Sequence, residues 1–273
     1  MIRWLVNSMI ASMIFFPVRE FSARPEDFGL SAEDVWCRTA DGIQIHGWFI
    51  NATPSPSPLP LSGGEDKGEE ELCLLFFHGN ADNISIRLPK AKEWIDRGIS
   101  VLLLDYRGYG KSEGKIDQGA NLSQDGEAAL KWLKKNKNFA SLQLILYGES
   151  IGAYPAIELA TREKFKAVVL EAPFTSIKEL AKKHYGLAPD FFLKDFLMDN
   201  ESKISGLKAP LFILHGTDDE IVPLEMGRRL FEKAPGHKEF FEIQGAHHND
   251  ISLIGGADFY ERPYRFVIGK ENR

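Results

Sequence analysis

From Leu72 onward the chain repeats one pattern: a short apolar run rich in β-branched and aromatic residues, then a stretch whose apolar residues recur at helical spacing. "LCLLFF", "ISVLLL", "LQLILY", "KAVVLEA", "PLFILHG" and "KEFFEI" read as strands. The segments from about Ile84 to Arg97 and from about Leu122 to Lys135, together with "AYPAIELATRE" and "VPLEMGRRLFEKA", read as helices. Strands apolar on both sides belong to a sheet covered on both faces, and an intervening helix returns the chain for parallel pairing. Pro155 and Pro223 fit this reading because each falls at the start of a helix, where a missing N–H costs no hydrogen bond. Upstream, "DVWCRT" and "GIQIHGWFI" flank the turn dipeptide Asp41-Gly42 and read as an antiparallel hairpin at the sheet edge. The expectation is an α/β fold with a mostly parallel eight-stranded sheet.

With 273 residues, 44% of them hydrophobic, the chain can bury one substantial core, and we expect one domain over residues 29–273. Residues 51–71, "NATPSPSPLPLSGGEDKGEEE", carry prolines, glycines and charges that cannot build a core, and read as a flexible surface loop. Residues 173–208 interrupt the alternation with a polar-aromatic excursion of roughly 35 residues, enough for a short lid but not for a large cap.

Residues 1–28 form a separate apolar segment. Within it "WLVNSMIASMIFFPV", Trp4 to Val18, is shorter than the ~20 residues a helix needs to cross a bilayer. No small-residue cleavage site follows it. Two readings lead, a helix packed on the domain and a membrane-associated segment 4–18, with a cleaved signal third, and the expected location is cytoplasmic or membrane-associated. The net charge of −6 speaks against a basic face for nucleic acid. Cys37 and Cys73 lack metal-ligand spacing and read as buried thiols, so no metal or cofactor is expected.

"YGESIG", residues 147–152, places Ser150 between two glycines. With 24 glycines in the chain a G-x-S-x-G is weak alone. Its position between a strand and a helix gives it weight, because a sharp turn there lifts the serine hydroxyl into the open. A serine nucleophile needs a histidine base and an orienting carboxylate. The loop after the next-to-last strand, "HGTDDEIVP", offers Asp218 and Asp219, and the loop after the last strand, "QGAHHND", offers His247 and His248. Glu171, at another strand end, is an alternative acid, and spacing does not choose among these. His78 and His215 each precede a glycine at a strand end and read as loop-shaping residues, as Glu149 does for the serine turn.

The ordered set "FFHGNADN", "DYRGYGKSEG", "YGESIG", "EAPFTS", "HGTDDEIVP" and "GAHHND" resembles the α/β-hydrolases. The likeness is to a short-lid serine hydrolase group that includes eukaryotic protein depalmitoylases and bacterial hydrolases labelled by similarity to serine aminopeptidases. The resemblance implies the α/β-hydrolase fold, with Ser150 as nucleophile, Asp219 as acid and His248 as base. It also implies an oxyanion hole made by the backbone N–H groups of Ile151 and Asn80. One departure is plain: the depalmitoylases carry a cysteine-rich, lipidated amino terminus, and the first 36 residues here contain no cysteine.

The expected reaction is hydrolysis of an ester or thioester with an apolar, lipid-like acyl group, through an acyl-enzyme. Phe174, Phe191 and Phe192 are the candidates for lining an acyl pocket, and packing of the lid onto the sheet is the competing role for such aromatics. The rival functions are a non-catalytic binding protein on the same fold, a peptidase, and other chemistry on the same scaffold.

Overall fold

The computed structural model describes residues 15–52, 71–116, 119, 121–186 and 198–269. Eight strands form one sheet: β1 (Ala32–Arg38), β2 (Gln44–Ile50), β3 (Cys73–Phe77), β4 (Ser100–Leu104), β5 (Leu144–Glu149), β6 (Ala167–Glu171), β7 (Leu211–Gly216) and β8 (Lys238–Ile243). Their spatial order is β8-β7-β6-β5-β3-β4-β2-β1. β1 and β2 pair as the expected antiparallel hairpin, β2 joins β4 antiparallel, and every other pairing is parallel.

The period of two along each strand divides the core between the two sheet faces. Cys73, Leu75 and Phe77 of β3, with Leu144 and Leu146 of β5, pack with helices α2 (Asn121–Asn136) and α3 (Ala153–Arg162). The alternate residues Leu74, Phe76, Ile145 and Tyr147 pack with α1 (Leu88–Asp96) and the carboxyl-terminal helix (Ile251–Val267). Pro89 sits in the first turn of α1, and a separate 3-10 turn at Ile84–Arg87 precedes it, so the single helix expected from Ile84 is two elements. The helix after β7 is α5 (Leu224–Lys233), and the lid contributes α4 (Ile177–Tyr185).

Of the apolar stretch Trp4–Val18, residues 4–14 lie outside the described residues, as do 53–70 of the proline-rich loop and 187–197 of the lid. Phe15 is buried in the core, and Phe16–Pro17 form a short parallel ladder with Ala81–Asp82. Asn83 Nδ2 donates to the carbonyls of Val18 and Glu20, so residues 15–20 are tied to the loop that follows β3.

Candidate active site

β5 ends at Glu149, Ser150–Gly152 make one tight turn, and α3 begins at Ala153. Ser150 has φ of 51°, a left-handed conformation that costs a non-glycine residue about 1–3 kcal/mol and persists only where packing on both sides enforces it. Gly152 permits the close approach of the turn to β3, since a Cβ there would collide with the Phe77 carbonyl. Ser150 is 8% exposed and lines a cleft of about 840 Å³. Clefts of this size lie in the range that holds small organic ligands.

His248, in the loop between β8 and the last helix, lines the same cleft. Its Nδ1 donates to Asp219 Oδ2 at 2.7 Å, because a carboxylate can only accept. That bond fixes the neutral ring as the Nδ1–H tautomer and leaves Nε2 as the basic nitrogen. Asp219 is held in turn: its Oδ1 accepts from the backbone N–H groups of Ile221 and Val222 at 2.9 and 2.7 Å. Burial alone would lower the pKa of His248, but the hydrogen bond and charge of Asp219, with Glu171 and Glu149 beyond, outweigh it and hold the imidazole above its ordinary value.

The structure separates the competing candidates. Asp218 is exposed and accepts from Thr217 Oγ1, and His247 is exposed and bonded to Glu220. Glu171 bonds to Lys90 Nζ at 2.7 and 2.8 Å and accepts from Tyr147 Oη at 2.6 Å, which commits its carboxylate elsewhere. His215 Nε2 donates to the Val222 carbonyl, and His78 Nδ1 donates to the Gly79 carbonyl, both in fully buried positions. Burial pushes the pKa of both down, that of His78 to about 3.

Ile151 and Asn80 both border the cleft beside Ser150. Phe174 does not: it is 0% exposed, packed in the core, with its carbonyl accepting from Asn200 Nδ2. The expectation that Phe174 lines the acyl pocket is corrected accordingly; an apolar ring directly after a buried strand gains more by completing the core. Phe191 and Phe192 lie outside the described residues. The apolar lining comes instead from Ile177, Leu180 and Ala181 of α4, with Ile221, Ile86 and Phe16.

Sequence reasoning also missed a charged network in the cleft. Arg87 Nη2 donates to Glu149 Oε1 at 2.8 Å, and Lys90 Nζ bridges Glu149 Oε2 at 3.2 Å and Glu171. Burial would raise the pKa of Glu149, but the two cations outweigh it and drive its carboxyl well below the usual carboxylate range. The partners lie 62 and 81 residues apart in the sequence, so no local pattern announces them.

A serine on a left-handed strand-to-helix turn, above a mostly parallel eight-stranded sheet with helices on both faces, defines the α/β-hydrolase class of enzymes. Comparison with known proteins agrees. The family model for serine aminopeptidase, S33, matches residues 68–194. An uncharacterized protein of Mycobacterium tuberculosis is 33% identical over 263 residues, covering 93% of this chain and 86% of that one. Human alpha/beta hydrolase domain-containing protein 17B is 32% identical over 255 residues, covering 91% and 78%. Among solved structures, a Pyrococcus furiosus esterase superposes with a TM-score of 0.75 at 21% identity, covering 93% of this chain and 98% of that chain. A Mycobacterium tuberculosis puromycin-hydrolyzing peptidase gives 0.67 at 18%, covering 89% and 41%. The chain belongs to the α/β-hydrolase superfamily.

Proposed function

We propose that the protein hydrolyses carboxylic esters or thioesters with an apolar acyl group, through an acyl-enzyme on Ser150. The observation that carries this reading is the single cleft shared by Ser150 and an Asp219-oriented His248. His248 Nε2 takes the proton as Ser150 Oγ attacks the carbonyl carbon, and returns it to the leaving group as the tetrahedral intermediate collapses. Asp219 keeps the tautomer and stabilises the imidazolium. The developing oxyanion is held by the N–H groups of Ile151 and Asn80. Water, activated by the same His248, then releases the acid and restores Ser150.

Ile177, Leu180, Ala181 and Ile221 supply an apolar surface suited to an acyl chain. A free α-amino group, as an aminopeptidase substrate carries, needs an available carboxylate. Among the described residues the carboxylates lining this cleft are Glu149, bonded to Arg87 and Lys90, and Glu171, bonded to Lys90. This favours esters and thioesters over peptides. The reading includes membrane proximity: Phe16 and Ile86, both bordering the cleft, are 54% and 45% exposed, and Phe16 continues the apolar run from Trp4.

The test is turnover of p-nitrophenyl esters and acyl thioesters of increasing chain length, beside aminoacyl p-nitroanilides. Ester or thioester turnover that improves with chain length supports the reading. Preferential cleavage of the anilides, or no turnover by folded protein, refutes it.

A further inference from the structure

An oxyanion hole draws its two N–H donors from separate segments, and both must point at one oxygen within a few tenths of an ångström. Here the segments are the loop after β3, carrying Asn80, and the turn after β5, carrying Ile151. β3 and β5 are paired as far as Phe77 and Gly148, and beyond that point the ladder no longer sets their separation. The loop is nevertheless pinned at every carbonyl. His78 O accepts from Tyr106 Oη at 3.0 Å, Gly79 O from His78 Nδ1 at 2.7 Å, Asn80 O from Tyr109 Oη at 2.7 Å and Ala81 O from Arg87 Nη1 at 2.9 Å.

Three of these donors, Tyr106, His78 and Tyr109, belong to the loop itself or to the segment after β4. Arg87 alone among the four also reaches the serine turn: its other terminal nitrogen donates to Glu149, the residue before Ser150. Gly79 is shaped to this link, since a Cβ there would stand 2.7 Å from Glu149 Oε1 and 3.1 Å from Arg87 Nη2. The side chains of Arg87 and Glu149 are 8% and 16% exposed, and Lys90 holds the second oxygen of Glu149. A desolvated ion pair with this many bonds is rigid.

We propose that Arg87 is a positioning residue for the oxyanion hole, locking the Asn80 loop to the Ser150 turn through the Ala81 carbonyl on one side and Glu149 on the other. The proposal rests on the hydrolase reading above and deepens it. In this role Arg87 acts through the geometry of the two N–H donors and not through a bond to substrate or to the reacting atoms.

The test compares wild type with Arg87→Gln, Glu149→Gln and the double variant, on a short-chain p-nitrophenyl ester. The double variant leaves no buried charge unpaired, which keeps a folded protein available should a single variant unfold. Because positional errors of about 1 Å cost up to ~100-fold in rate, kcat should fall about 10- to 100-fold with KM within about 3-fold. Affinity for a boronic acid, which forms a tetrahedral adduct on the serine, should fall by the same factor as kcat/KM. The double variant should lose no more than the worse single one, since both break one link. Methylguanidinium should restore part of kcat to Arg87→Ala. Folded variants that keep kcat within about 3-fold, lose only KM, or lose rate without losing boronate affinity would overturn the proposal. Wild-type protein that neither turns over esters nor binds the boronate would instead overturn the hydrolase reading.

Discussion

His248 Nδ1 lies 2.7 Å from Asp219 Oδ2, and the two residues come from loops at the ends of adjacent strands, 29 positions apart. In the proposed mechanism the bond decides which ring nitrogen serves as the base. Replacing Asp219 by Asn allows the opposite tautomer and removes the charge that stabilises the imidazolium. Asp219→Asn should therefore lower kcat by about 10³- to 10⁴-fold with little change in KM. Steady-state kinetics on a saturable ester check this.

The neighbouring histidine provides the control. His247 is exposed and paired with Glu220, outside the cleft lining. His247→Ala should keep kcat/KM within about 2-fold, as surface changes away from a site usually do, whereas His248→Ala should lose at least about 10³-fold. Equal losses in the two variants would reverse the assignment of the base.

The pH profile follows from the direction of the His248 shift. Asp219 and the more distant Glu171 and Glu149 outweigh burial and raise its pKa, and in the proposed mechanism only the neutral ring can accept a proton from Ser150. Activity should rise with pH through a midpoint above the ordinary histidine value, and Glu171→Gln should move that midpoint down. The same shift has a stability consequence of opposite sign. A raised folded-state pKa adds stability that is fully present below the unfolded-state value and is lost as pH rises through the folded-state value. The Tm difference between wild type and His248→Ala should accordingly be larger at pH 5.5 than at pH 9.

Strain at the serine turn makes a further prediction. At φ of 51° a side chain is unfavourable whatever its chemistry, so Ser150→Ala keeps the strain and Ser150→Gly relieves it. Both variants should be inactive, with Ser150→Gly about 1 kcal/mol the more stable by urea unfolding. Gly152→Ala should go the other way, because its Cβ meets the Phe77 carbonyl and forces strand and turn apart.

The proposed acyl surface predicts a chain-length series. Each methylene buried against Ile177, Leu180 and Ile221 should contribute about 0.8 kcal/mol, roughly a 4-fold gain in kcat/KM, until the cleft is filled. Leu180→Trp should move the optimum to shorter chains.

The strands and the serine turn were legible because both rest on local patterns: unbroken apolar runs along β3 to β7, buried on both faces, and two small residues around Ser150. The choice of Asp219 over Asp218 was not local. Successive residues of a turn point in different directions: Asp219 turns inward to the backbone N–H groups of Ile221 and Val222 and to His248, and Asp218 turns outward. Phe174 was misread because an aromatic residue beside the lid has the same sequence signature whether it faces the cleft or the core, and here it completes the core. Arg87 and Lys90 were invisible for a different reason. They fall near the start of an amphipathic helix, where no local pattern marks a cation as buried, and only the sheet order places them against Glu149 and Glu171.

The central claim is that Ser150 is the nucleophile. Intact-protein and peptide mass spectrometry after treatment with a fluorophosphonate tests it most directly. One phosphonyl adduct on the peptide carrying Ser150, formed by wild type and absent from Ser150→Ala, is the expected result. An adduct on another residue, or none on folded and intact wild-type protein, would contradict the claim.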